Sequence, residues 1–190
     1  MNFTQYQDYH HGILARDEAA RPAPYDNPDY FDYTRMNWQR SARWLKTGVL
    51  NDETLAAAAS IRSPQKWIVI TEPWCGDAAH IVPFLYLIAQ TNPLIQIVFE
   101  LRDQEPFRID QYLTRGGRSI PKLIIRDEHD HDLATWGPRP AGCQEIYDRL
   151  MEEKADFETV KTALQNWYNA DKGTEIQREI SRLILSALPA

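Results

Sequence analysis

The chain has 190 residues, 43% apolar and 25% charged, a composition that excludes collagen, low-complexity disorder and a disulfide-stapled miniprotein. Its 21 basic and 27 acidic residues leave a net charge of −6, which argues against a nucleic-acid or anionic-membrane partner because those need clustered Lys and Arg. At about 150 residues per domain the length favours one domain with extensions: an N-terminal arm with two helices over 1–64, a core over 65–150 and a C-terminal helical extension over 151–190.

Residues 1–30 mix His, Tyr, Asp and Asn with Pro22, Pro24 and Pro28 and read as an irregular surface arm. From Asp32 to Thr47, Tyr33, Met36, Trp44 and Leu45 recur at helical spacing, and Asn51 can cap a second helix that stops before Pro64. Trp67 to Thr71 is an apolar, β-branched run that fits a strand buried on both faces. Ala78 to Gln90 reads as a helix and Leu94 to Leu101 as the next strand, which implies a right-handed parallel βαβ unit. A helix is expected from about Pro106 to Thr114, then a hairpin of Lys122–Arg126 and Leu133–Trp136 around the polar tip Asp127–His131. Three helices complete the chain: Cys143 to about Glu153, a second capped by Asp156, and Glu175 to Leu188.

No apolar run approaches the roughly 20 residues of a membrane helix, and the first residues lack the basic start and apolar centre of a signal peptide. A cytosolic location is therefore expected. There a permanent bridge between Cys75 and Cys143 is disfavoured, so each is first a free thiol.

Cys75 falls where a parallel strand ends and a helix begins, the edge at which open α/β sheets usually bind ligands. Amides of a first helical turn and the helix dipole favour a thiolate there. Against this stand Asp77, a like charge two residues away, and the lack of any Lys or Arg between Thr71 and Leu101. Position alone leaves a reactive thiol and an inert turn cysteine equally open.

Trp74-Cys75-Gly76-Asp77-Ala78 resembles the Trp-Cys-Gly-Pro-Cys loop of the thioredoxin superfamily. Pro83 is similar in place to the family's helix-kinking proline, Ile120-Pro121 to its Ile/Val and cis-proline, and Gly137 to the glycine lining its substrate groove. The flanking sequences further resemble a bacterial branch of thioredoxin-like proteins of undefined activity. The resemblance covers residues 65 to about 150 and implies a thioredoxin-like α/β fold with a central mixed sheet, βαβ then ββα, plus the extensions. Ala78 stands in place of the second cysteine, which rules out an ordinary dithiol reductase, and Val69 occupies the place of the family's buried acid.

What the resemblance then implies is monothiol work, an oxidoreductase in which Cys75 attacks a disulfide, a sulfenic acid or a glutathione adduct and is released by an external thiol. The implied partner is a protein or low-molecular-weight thiol or disulfide, glutathione included; no cofactor or metal is called for. Trp74, Gly76, Asp77, Ile120, Pro121 and Gly137 would line the groove. The competing expectation is a non-catalytic binding module that keeps the groove without the chemistry.

Cys143 starts the helix after the Trp136–Pro140 loop and could be a distant resolving thiol if the Cα atoms came within about 7 Å; a small buried cysteine is the commoner case. Given the cysteine loop, Pro121 is expected cis rather than as a trans strand opener. Arg115, Arg118, Lys122 and Arg126 form a stretch without acids, which Arg139 can join. Arg118, just before Ser119-Ile120-Pro121, is the cation expected at the groove; a solvated rim is the alternative. His129 and His131 read as solvated and His80 as too far around its helix to serve Cys75.

Overall fold

The computed structural model describes residues 1–188. In chain order the elements are α1 (Phe3–Leu14), α2 (Pro28–Thr47), α3 (Asp52–Ala59), β1 (Gln65–Thr71), α4 (Gly76–Ala89), β2 (Ile95–Leu101), β3 (Lys122–Arg126), β4 (Asp132–Trp136), α5 (Ala141–Glu152), α6 (Phe157–Asp171) and α7 (Thr174–Ser186). The four strands make one mixed sheet in the order β2-β1-β3-β4. β1 runs parallel to β2 and antiparallel to β3, so Val69 faces Phe99 on one side and Leu123 on the other. β3 and β4 form the expected hairpin. Among the described residues no helix is long and apolar enough to cross a membrane.

The strand at the centre explains the placement of the rest. Trp67, Ile68, Val69 and Ile70 are all buried, so β1 needs cover on both faces and supplies the apolar surface that the helices pack against. Its carboxyl end runs directly into the turn before α4. Inside α4, Pro83 has no N–H for the Ala79 carbonyl; Ser41 Oγ of α2 donates to that oxygen at 3.2 Å instead. α4 and α2 are thereby tied together.

Two expectations fail. Residues 1–30 are not irregular throughout: α1 occupies much of this stretch, opened by a capping box in which Asn2 accepts from the Gln5 amide and Gln5 returns a bond to the Asn2 amide. Its buried face is Tyr6, His10 and Ile13, and the polar name of His10 hid the three- and four-residue spacing. The helix expected over 106–114 is a single 3-10 turn, Arg108–Gln111, because the left-handed residues Phe107 (φ 50°) and Arg115 (φ 51°) bracket it and only Ile109 is buried.

The C-terminal helices return to the N-terminal ones. Gln177 Oε1 accepts the Asn51 N–H at 2.8 Å, and Ser181 Oγ donates to Thr54 Oγ1 at 3.1 Å, clasping α7 to α3. Gly173, at φ 81°, turns the chain from α6 into α7 directly against Phe84, where a Cβ would overlap the ring.

Candidate functional site

Cys75 is the N-cap of α4. Its Sγ accepts the Ala78 N–H at 3.5 Å and donates to the Ile120 carbonyl at 3.4 Å. The Ile120–Pro121 peptide is cis, and Gly137 (φ 113°) packs so closely on Pro121 that a Cβ would overlap the proline carbonyl. Three segments distant in sequence thus meet around one sulfur, with Gly76 opening the helix beside it.

The sulfur is nonetheless sheltered. Cys75 is only 7% exposed, and burial first, then the Asp77 carboxylate, pushes its thiol up to about 12. The Ala78 amide and Arg139 act in the opposite sense and are outweighed. A thiol that donates to a carbonyl is also, by geometry, protonated. The helix-terminus argument for an acidic cysteine therefore does not hold here: desolvation exceeds the amide and dipole effects.

Residues of both extensions grip the loop. Asn37 Nδ2 donates to the Pro73 carbonyl at 3.0 Å, and Tyr25 Oη donates to Glu72 at 3.4 Å. Trp74 lies between the edge of Tyr30, 5.7 Å between centroids, and the Arg102 guanidinium, 4.6 Å from its ring. From the other side, Asp77 is held by Arg139 Nη2 at 2.7 Å and by the Tyr168 hydroxyl at 2.8 Å.

The family model described as Thioredoxin matches residues 24–178. The chain belongs to the thioredoxin family. It is similar in fold to a protein of unknown function from Pseudomonas aeruginosa, with 14% identity, 99% of each chain covered and a TM-score of 0.56. It is also similar to an HIV epitope-scaffold, with 15% identity over 99% of this chain and 100% of that one and a TM-score of 0.53. None of the curated proteins matches it. The match begins inside the N-terminal extension and ends in α7, so this thioredoxin fold includes helices beyond the central sheet.

Against that fold the expected cations are placed differently. Arg118 is about half exposed and pairs with Asp110 at 2.6 Å. Arg115 makes a two-armed pair with Asp148, both bonds 2.9 Å, Arg126 pairs with Asp132, and Lys122 bonds Thr114 and the Gly137 carbonyl. The three arginines of the stretch that looked free of acids are paired with acids from elsewhere, while Lys122 has neutral partners. Arg139 is the cation paired with Asp77 of the loop, and it lies over the Tyr147 ring at 4.1 Å. Asp77 signalled the need for such a partner, whereas nothing in the sequence marked Tyr168, 91 residues away.

Cys143 is a free thiol, as is Cys75, and is fully buried. Burial and then Asp77 push it up to about 12, with the Tyr168 hydroxyl beside it. It is placed as a core residue. His80 accepts the Trp44 indole N–H through Nδ1 at 2.8 Å, so its proton sits on Nε2, 3.1 Å from Gln165 Oε1. Burial lowers it to about 4, and its partners lie on α2 and α6 rather than at Cys75. Among the described residues no group of three or more His, Cys, Asp or Glu side chains is arranged to hold a metal, His129 and His131 included.

Proposed function

We propose that this protein uses the Cys75 edge of the thioredoxin fold as a packing and binding element and does not run thiol–disulfide exchange through it in the conformation described. One observation carries the reading: the Cys75 S–H donates to the Ile120 carbonyl from a site 7% exposed. Exchange needs the thiolate, which this environment disfavours. Ala78, where a second thiol would stand, and the Asp77–Arg139–Tyr168 network point the same way. The test is alkylation of Cys75 against pH in a Cys143→Ser background. A native-state thiol that stays slow through pH 9 supports the reading; rapid alkylation with a midpoint at or below about 8.5 overturns it.

A second reading has its own support. The Ala78 amide on Sγ and the adjacent cis-proline are what a monothiol oxidoreductase would use once the loop is uncovered. Cys75 would then attack a disulfide, forming a mixed disulfide and expelling one thiolate, and an external thiol such as glutathione would regenerate it. Mass-identified adducts on Cys75, again with Cys143→Ser, would favour this alternative.

A further inference from the structure

Glu72 ends the central strand's run into the loop, and its surroundings are unusual for an acid. It is 4% exposed. Oε1 accepts the Asp103 N–H at 3.1 Å and Oε2 accepts the Tyr25 hydroxyl at 3.4 Å. Tyr6 and Tyr9 of α1 also face it, and Cys75 lies near the same Tyr6 hydroxyl. The nearby cation, Arg102, is joined through Nε and Nη2 to Asp103 at 2.9 and 2.6 Å and covers Trp74. A buried carboxylate so placed has hydrogen-bond donors but no ion pair of its own, which makes its charged form costly.

We propose that Glu72 and Tyr25 form a protonation-controlled latch: with the carboxyl neutral, the segment between α1 and α2 stays closed beside the Cys75 loop, and loss of the proton to solvent releases it. The inference goes beyond the function proposed above and needs no thiol chemistry. Tyr25 is 1% exposed and is the anchor of a segment otherwise mostly at the surface. Letting water reach an ionised Glu72 means lifting that anchor. Glu72 is also coupled to the loop itself, since its carbonyl accepts the Cys75 N–H at 3.0 Å and Asp103 positions the cation on Trp74.

The sign is defined. Burial raises Glu72 from 4.5 to about 7, so the closed form is fully favoured below the ordinary value and loses ground as pH rises toward 7. Opening grows by up to about tenfold per pH unit across that window and then levels off.

The experiment is amide hydrogen exchange at Tyr25 and Asp103, corrected for intrinsic rates, at pH 5.5 and 7.5. The wild type is expected to open at least tenfold more at the higher pH, and Glu72→Gln to change less than twofold. A flat wild type, or the same trend in Glu72→Gln, overturns the latch. Tyr25→Phe should raise opening severalfold at pH 5.5; no change there also overturns it. Should Glu72→Gln fail to fold, a carboxyl 13C titration of the wild type decides, with a midpoint near 7 supporting the latch and one near 4.5 refuting it. Repeating the exchange in Cys75→Ser, where the ratio should persist, separates this result from the fate of the function proposed above.

Discussion

Arg139 and Asp77 meet at 2.7 Å with side chains only 15% and 10% exposed, and this buried ion pair stands two residues from Cys75. It settles the local balance. Arg139 could favour a thiolate, yet its charge is matched by a carboxylate that is itself nearer to Cys75 in the chain. Asp77→Asn should keep the Tyr168 contact while removing the anion, and should lower the Cys75 midpoint by about one unit or more. Thiolate absorbance near 240 nm against pH reads this directly. Stability should fall by about 3 kcal/mol, since Arg139 is left without its counter-ion.

Gly137 allows the contact that seats the cis-proline under the thiol. Gly137→Ala places a Cβ on the Pro121 carbonyl at a positive φ. A loss of at least about 2 kcal/mol in urea denaturation is expected. Gly116→Ala, at φ 79° but with open space around it, should cost less.

Ala78 is where an intraloop partner for Cys75 is missing, and its amide already touches Sγ. In a Cys143→Ser background, Ala78→Cys should lose both free thiols on mild oxidation, as counted by a thiol reagent. A folded variant that stays fully reduced would contradict the loop geometry described.

Acid stability should reveal two opposing sets of groups. Burial lowers His10 and His80 to about 4 from 6.5, so their contribution is present above 6.5 and is lost as pH falls toward 4. Glu72, raised to about 7, gains stability over nearly the same descent. With two histidines set against one carboxyl, the wild type should still decline between pH 6.5 and 5, by up to about 1.4 kcal/mol per pH unit, about half as steeply as the variant lacking the carboxyl. Glu72→Gln should decline by up to about 1.4 kcal/mol per pH unit for each histidine. Guanidinium melts at half-unit pH steps would show the difference.

Much of this architecture was legible because local chemistry and tertiary context agreed. The Trp67–Thr71 run became the central strand, Asn51 and Asp156 became caps, and the loop, Pro121 and Gly137 converge as their order in the chain suggested. Failure came where through-space partners decide. Arg118 is adjacent to Ile120-Pro121 in sequence, yet its guanidinium turns to Asp110, while Arg139 from the next loop takes the place at Asp77. The cysteine's environment is set by burial under residues such as Tyr6, Trp74 and Ile120, a desolvation that spacing along the chain does not encode.

The clasp between α3 and α7 joins residues 126 and 127 positions apart. During synthesis the strands and α4 can emerge and pair well before the last helix is made, but the α3 surface that receives Gln177 and Ser181 must wait for it. Completion of this part of the fold is thereby deferred until α7 has been made, and the α3 surface stays unpaired in the interval.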